Sequence, residues 1–338
     1  ADGVIIEVHQ NPAEAYSDGP QSLYPKQLER VLRDVEAILP IVGRQLYRAA
    51  RVAHLTETRG GAKKKDATLT IAYQGQAGAF SERAAHQFFG DTIRTQPSTA
   101  FRDVFSAVAD GTVDYGVLPV ENSLTGSIHQ NFDLFSEFDV TIVGEVKLRI
   151  VHSLIAHPGT RLKDIDTVYA HPQASAQCDD FLRSHAEWKV INVYDTAGSV
   201  DHVKSHGLKK AAAIAGAAAA SLYGMEVLQE GIESNPNNFT RFVVIGKPGA
   251  STGDADKTSI VFETKNEPGA LVTVLQTCAQ AGVNLVKLES RPIPGQPWHY
   301  LFYADLQTAT SDPKWAGLQA ALQDQTHELR VLGSYRAA

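Results

Sequence analysis

The sequence predicts an α/β protein built from more than one domain, and three observations carry that prediction. From Thr68 to about residue 247, short apolar runs alternate with amphipathic stretches, the pattern of strands layered with helices. Polar, glycine-containing segments at 60–67 and 248–256 interrupt that pattern and read as linkers. Beyond the second linker the runs follow the order strand, helix, strand, strand, helix, strand, which is the βαββαβ order of a ferredoxin-like fold. At 338 residues there is room for two or three domains, each burying its own core.

Residues 1–59 open with a short apolar strand at 4–8, a polar turn and a long helical segment. In that segment Leu28, Val31, Leu32, Val35, Ile38, Leu39, Val42 and Leu46 recur at three- and four-residue steps, giving one apolar stripe kinked at Pro40. One strand and one helix cannot close a core, so the piece needs a partner surface. In the following region the expected strands are 69–73, 115–120, 140–144, 150–156, 167–170, 190–194, 212–215 and 241–245. The alanine-rich run ending at Ala220 is a good helix former. After the second linker, strands are expected at 258–264, 284–291, 299–304 and 328–333, with helices at 269–281 and 313–323.

Composition narrows the function. The chain is 43% hydrophobic and 20% charged, with a net charge of -7 and acids and bases interspersed, so neither nucleic acid nor an anionic membrane is an expected partner. No apolar run reaches the roughly 18 residues of a membrane span, and no signal-peptide pattern is present. A cytoplasmic location is expected. Cys178 and Cys278 fall in different predicted domains without a Cys or His at ligand spacing, so they read as buried free thiols and no metal site is expected. The chain begins at Ala1 with Met225 as its only methionine, which reads as processed, trimmed or cut from something longer.

Several runs carry candidate chemistry. Gln74-Gly75-Gln76-Ala77-Gly78-Ala79-Phe80-Ser81 follows the first strand and opens a helix. Its glycines let backbone N–H groups approach an anion, although a plain strand–turn–helix connection with Ser81 as N-cap also accounts for it. Glu121-Asn122-Ser123 ends a strand, where ligands gather in open α/β sheets; alone it also reads as a capping turn. Thr125-Gly126-Ser127 adds two hydroxyls. His171-Pro172-Gln173-Ala174 and Asp195-Thr196-Ala197-Gly198-Ser199 follow later strands, and each has a structural reading beside a ligand-contact one. In Asn238-Phe239-Thr240-Arg241-Phe242 the arginine offers a fork for a carboxylate next to a hydroxyl donor, or else pairs with a structural acid while both phenylalanines fill a core. Gly269-Ala270-Leu271-Val272 starts a helix, and Glu289-Ser290-Arg291-Pro292 ends a strand.

In this order the Glu121, Asn238, Gly269 and Glu289 runs resemble the prephenate dehydratase family with a C-terminal ACT domain, over roughly residues 68–335. The resemblance implies a periplasmic-binding-protein-like catalytic domain at 68–247, with two α/β lobes around a cleft, and an ACT regulatory domain at 257–338. One lobe would combine residues near 68–146 with a returning segment near 228–247. It implies a carbon–oxygen lyase of phenylalanine biosynthesis that turns prephenate into phenylpyruvate without a cofactor, feedback-regulated by L-phenylalanine. Arogenate dehydratase, or a non-catalytic small-molecule binder of the same lobed fold, are the alternatives.

On that resemblance Thr240, Glu121 and Ser123 are expected to be catalytic, and Asn122, Arg241, Phe242, Ser81, Thr196 and His171 to contact substrate. Gly269, Ala270, Leu271, Val272, Glu289, Ser290 and Arg291 are expected to bind L-phenylalanine. The family often carries threonine where Ala79 stands. A homodimer or homotetramer is expected, because a βαββαβ module leaves sheet edges and one open face to bury. At the N-terminus, Ile6-Glu7-Val8-His9 and the run from Ser17 to Leu23 resemble the last strand and helix of a DAHP synthase barrel, with Glu7 and Asp18 matching metal ligands. The rest of such a barrel is missing, so residues 1–59 are expected to be a remnant, or the tail of a larger fusion, and not an active site.

Overall fold

The computed structural model describes residues 23–38, 68–250, 253–293 and 295–338, and the chain divides into two compact units, 1–50 and 51–338. In the first unit, α1 (Pro25–Ile38) begins with proline in its first turn, where a missing N–H costs no hydrogen bond. Tyr24 N–H donates to Gln27 Oε1 at 2.9 Å and closes that turn. The expected strand at 4–8, the kink at Pro40, Glu7 and Asp18 all lie outside the described residues.

The second unit holds three sheets. The first runs β2 (Ile93–Ser98), β1 (Leu69–Gln74), β3 (Tyr115–Asn122), β11 (Phe239–Gly246), β5 (Thr141–Arg149), with the two-residue β4 (Gly126–Ser127) hairpinned onto β3. Strands β1, β2 and β3 are parallel, whereas β11 is antiparallel to both of its neighbours. The second sheet runs β10 (Glu226–Glu230), β6 (Ser153–Ala156), β9 (Ala211–Ala215), β7 (Thr167–Ala170), β8 (Lys189–Asn192). The chain thus leaves the first lobe after β5, builds the whole second lobe, and returns only for β11. The returning segment starts later than expected, since residues 226–230 form an edge strand of the second lobe. Edge strands β2 and β10 are polar and largely exposed, so their sequences lack the apolar run that marks an inner strand.

Small side chains let the second lobe pack closely. In β9, Ala212 and Ile214 face the core with Leu154, Val168 and Trp188, while Ala211, Ala213 and Ala215 face α7 (Gly198–Ser205) and α8 (Ala217–Tyr223). The alanine-rich run is therefore a buried strand followed by a helix. The two lobes meet where the strands of both sheets end. A Cβ on Gly75 would sit 3.2 Å from Asp195 Oδ2, and one on Gly78 would sit 3.0 Å from the Ala219 backbone. Both glycines also have positive φ, at 114° and 88°, so the turn needs them twice over.

The third sheet, β13 (Leu285–Pro292), β14 (Tyr300–Leu306), β12 (Lys257–Thr264), β15 (Thr326–Tyr335), is fully antiparallel and confirms the βαββαβ order with α9 (Ala270–Gln280) and α10 (Trp315–Gln325). Ile260, Phe262, Ala304 and Leu306 face the two helices with Val274, Trp315 and Leu322. Its opposite face, expected to be open, is covered by the first lobe of the same chain. Val261, Tyr303, Leu332 and Tyr335 join Phe105, Leu118, Phe132, Phe135, Ile142 and Val243 in one core that spans both domains. At its edge β15 crosses β5 so closely that a Cβ on Gly333 would overlap the Ile142 backbone.

Gly333→Ala must push these two backbones apart. The expected loss is about 1–3 kcal/mol of stability, the cost of overpacking a tight core. Urea unfolding measures it; wild-type stability would mean that the strands separate freely.

Candidate active site

One extra residue on β3 decides which way the candidate side chains point. Thr240 pairs with Asn122 and Arg241 with Glu121, but Phe242 pairs with Pro119, so Val120 is left over as a β-bulge. Leu118 and Val120 lie in the core shared with the third sheet, and Glu121 also reaches that side. Asn122 consequently turns to the opposite face, where Thr240 stands across from it. Without the bulge the alternation of side chains would carry Asn122 to the other face.

Asn122 is buried and fully engaged. Its Oδ1 accepts from the backbone N–H groups of Leu124 at 3.0 Å and Thr125 at 3.1 Å, and from Thr125 Oγ1 at 3.2 Å. Because backbone N–H groups can only donate, they fix the orientation of the amide. Its Nδ2 therefore donates, to Thr240 Oγ1 at 3.0 Å, Asn238 Oδ1 at 2.7 Å and the Phe239 carbonyl at 3.1 Å. Thr240 is thus an acceptor towards Asn122, and its own O–H remains to donate elsewhere. Beside it, the buried Asn238 Nδ2 has no partner among the described residues.

The second lobe reaches this cluster through Gln173, whose Nε2 donates to Thr125 Oγ1 at 3.0 Å. A chain of hydrogen bonds then runs Gln173, Thr125, Asn122, Thr240 across the lobes. Sequence reasoning quoted Gln173 but singled out its neighbour His171. That histidine instead caps α5 (Pro172–Gln177), its Nδ1 accepting from Gln173 N–H at 3.2 Å. Burial lowers its pKa, partly offset by Asp195, which favours the neutral ring that capping needs.

Other candidates have local duties. Ser123 Oγ donates to the Asn237 carbonyl at 2.9 Å and accepts from Phe239 N–H at 2.9 Å, tying the hairpin to the approach of β11. Ser81 lies in the first turn of α2 (Phe80–Phe89) rather than at its N-cap, which is Ala79. At the glycine turn before it a carboxylate of the chain itself takes the backbone donor: Glu82 Oε2 accepts from Gly78 N–H at 2.7 Å while Oε1 accepts from Thr95 Oγ1 at 2.8 Å. Thr196 is half-buried just before α7, and its carbonyl accepts from Ser199 Oγ at 2.6 Å.

Of the residues expected in the cleft, Glu121 and Arg241 face away from it, whereas Phe242 shares the Thr240 face of β11. Phe242 is 2% exposed, a core side chain. Arg241 donates to Glu121 at 3.1 Å, Glu145 at 3.2 Å and Asp305 at 2.7 Å. Lys257 completes the group with bonds of 2.7 and 2.8 Å to Glu145, and Ser259 Oγ bonds Asp305 at 2.6 Å. Burial works against the Arg241 charge, but Asp305, Glu145 and Glu121 more than restore it and raise its pKa. Burial alone would likewise raise Glu121, yet bonds from Lys287 and Arg241 hold its carboxyl below the usual range. Glu121 is an ionised partner in an interface and not a proton donor.

A separate cavity of about 300 Å³ opens at the start of α9, lined by Gly269, Ala270, Leu271 and Val272 together with Trp298, His299, Tyr300 and Phe302. The Glu289 run lies apart from it. Glu289 bonds Ser127 at 2.5 Å and His129 at 3.1 Å, Arg291 binds Asp133 at 2.7 and 2.8 Å, and Ser290 is exposed. The alternation of an edge strand sends Glu289 and Arg291 into the catalytic lobe. Among the described residues no group of three or more His, Cys, Asp or Glu is arranged to hold a metal ion.

Compared with known proteins, residues 71–250 match the family model described as prephenate dehydratase, and residues 258–314 match the model described as ACT domain. The chain belongs to the prephenate dehydratase family. It is 38% identical over 271 residues to a bifunctional chorismate mutase/prephenate dehydratase of Stutzerimonas stutzeri, covering 80% of this chain and 74% of that protein. It is 39% identical over 285 residues to arogenate dehydratase 2 of Petunia hybrida, covering 79% and 71%. Among solved structures it resembles the prephenate dehydratase of Arthrobacter aurescens in complex with L-Phe, with a TM-score of 0.74, 31% identity, and 79% and 90% of the two chains covered. Both family matches begin after the N-terminal run that resembles a DAHP synthase barrel.

Arg241→Ala distinguishes an interface residue from a substrate contact. It leaves Glu145 and Asp305 buried with too little positive charge, so stability should fall by about 3–5 kcal/mol. Chemical denaturation checks this; a rise in KM at wild-type stability would return Arg241 to the cleft.

Proposed function

We propose that the chain converts prephenate to phenylpyruvate as a step of L-phenylalanine biosynthesis, and that L-phenylalanine regulates it through the ACT domain. The observation that carries the reading is the Asn122–Thr240 pair at the cleft end of β3 and β11, in a chain of this family. Prephenate carries a carboxylate and a hydroxyl on opposite sides of a non-aromatic ring. As the ring carboxylate leaves as carbon dioxide, its bonding electrons enter the ring and expel the hydroxyl, which takes up one proton and departs as water. Aromatisation drives the step, so the protein's task is to position the substrate and stabilise the departing oxygen.

Thr240 suits that task because Asn122 occupies its oxygen and leaves its O–H to donate. A threonine is too weak an acid to surrender its proton at neutral pH, so it acts as an oriented donor to the leaving hydroxyl. Asn238 Nδ2 and the Gln173 amide are further neutral donors for substrate oxygens. Neutrality is an advantage: a cation fixed on the ring carboxylate would stabilise the charge that must be lost. Ser81 and Thr196 stay in the reading as cleft-side contacts, whereas Glu121 and Arg241 lie behind the site, Ser123 ties the hairpin to β11 and Phe242 is a core side chain.

Arogenate carries an amine where prephenate has the ketone, and the Petunia relative bears that name, so it is the second reading. Incubating the full chain with each substrate in parallel separates the two. The main reading expects phenylpyruvate from prephenate with the higher kcat/KM; turnover of arogenate alone would replace it, and turnover of neither would leave a binding protein. Thr240→Ala should lower kcat about 100- to 1,000-fold, the usual cost of losing one transition-state donor, with a smaller change in KM.

For the effector, the cavity at α9 offers first-turn N–H groups to a carboxylate and aromatic walls to a phenyl ring. Gly269 has a φ of 88°, so Gly269→Val both strains the turn and fills the approach. Calorimetric binding of L-phenylalanine should be lost in this variant; retained affinity would move the effector elsewhere. A homodimer or homotetramer in the cytoplasm belongs to the same reading. It is supported by Val286 and Leu288 standing exposed on edge strand β13, by Val272 exposed on α9, and by two free buried cysteines.

A further inference from the structure

Edge strand β13 holds the hairpin that presents Asn122. Lys287 Nζ donates to Glu121 Oε1 at 2.9 Å on one strand of the hairpin and to Ser127 Oγ at 2.8 Å on the other. Glu121 and Ser127 face each other across the β3–β4 pair, so a single ammonium bridges both strands. Glu289 supports the same point from the next outward position, accepting from Ser127 Oγ at 2.5 Å and contacting His129 at 3.1 Å. The Lys287 side chain is only 10% exposed and lies over the Phe132 ring at 5.5 Å.

The target of these contacts sets them apart from the rest of the interface. Arg291 grips Asp133 on helix α4 (His129–Glu137), and Lys257 grips Glu145 on the nine-residue β5, both anchored by their own elements. Strand β4 is two residues long and, among the described residues, pairs only with β3. Its far end leads back to the exposed tip carrying Thr125, the link from Asn122 to Gln173. Holding Glu121 and Ser127 therefore sets the backbone on both sides of Asn122. Strand β13 is in turn paired to β14, whose Tyr300 and Phe302 wall the 300 Å³ cavity, with Ser290 opposite Phe302 and Pro292 opposite Tyr300.

We propose that Lys287 and Glu289 of the ACT domain are positioning residues for the dehydratase reaction, clamping the β3–β4 hairpin so that Asn122 holds Thr240 in its donating orientation. The proposal rests on the reading in which Asn122 and Thr240 act on substrate. It gives the regulatory domain a direct mechanical part in turnover, separate from binding the effector. The clamp touches no substrate and acts only through Asn122.

Lys287→Met keeps the stem over Phe132 and removes the ammonium. In the full chain it should lower kcat about tenfold or more while changing KM less than about threefold. Asp133→Asn, which weakens a neighbouring interface pair without reaching the hairpin, should lower thermal stability and keep kcat within about twofold. The double variant Lys287→Met/Asn122→Ala should lose no more than Asn122→Ala alone, since both changes disable one unit. Amide hydrogen exchange of residues 121–128 should accelerate in Lys287→Met and not in Asp133→Asn. Multiplying losses in the double variant, or unchanged exchange in the hairpin, would overturn the clamp. If the wild type turns over neither prephenate nor arogenate, the functional reading fails, and the exchange comparison still decides whether the clamp exists. Should Lys287→Met fail to fold, Glu289→Gln weakens the same support with the Lys287–Glu121 bond intact, and the same pattern is expected at smaller size.

Discussion

Neighbouring side chains on a strand point to opposite faces, and on β3 and β11 that constraint separates the proposed site from the interface with the ACT domain. Thr240 and Asn122 face the cleft; Arg241 and Glu121, one residue away on each strand, face the ACT domain. A single bulged residue, Val120, makes the two strands agree on this division. The Asn122–Thr240 pair and the interface with the ACT domain are the front and back of the same pair of strands. Any shift of β11 or β3 is felt on both sides at once.

The division is also one of charge. Behind the strands lies a dense ionic group in which Arg241 and Lys257 meet Glu145, Asp305 and Glu121. Taking so many charges out of water is costly, and such clusters pay only when each lone pair and proton finds a partner. Here Ser259 and Tyr335 supply some of the remaining bonds, and burial raises the Tyr335 pKa so that its phenol stays a neutral donor or acceptor. In front of the strands the donors are hydroxyls and amides. Strong charge thus holds two domains together where it cannot disturb a reaction that depends on letting a carboxylate go.

Much of the fold was readable from the chain. Inner strands such as β1, β7 and β12 announce themselves by apolar runs, and the six elements of the ACT domain by their order. Polar edge strands β2 and β10 do not, because their pairing is made by neighbours and not by their own side chains. At the site, Thr240 and Asn122 are named only through the family resemblance of their runs; residue chemistry alone does not single Thr240 out from Ser123 or Glu121. The facing of Glu121 and Arg241 could not be read there, since a bulge is a property of two strands in register and one strand's sequence does not contain the other's. Gln173 was overlooked for His171 because an amide gives no chemical signal until its partner, Thr125, is known. Glu289 and Arg291 are expected at the effector only through the family resemblance; the pattern of an edge strand says that alternate residues are covered, but not by what.

The position of β11 has a consequence during synthesis. Residues 153–230 form a continuous second lobe and can fold as soon as they emerge, whereas the first lobe waits for residues 239–246 to be inserted between β3 and β5. Even then Phe105, Phe132 and Phe135 face a core completed by Leu332 and Tyr335, about 200 residues further along the chain. At some 5–20 residues per second, the ACT portion from β12 to β15 takes on the order of 4–16 seconds to translate. Throughout that interval the nascent chain carries an uncovered aromatic surface, a natural station for a chaperone and the stage at which a stalled ribosome would release an aggregation-prone fragment.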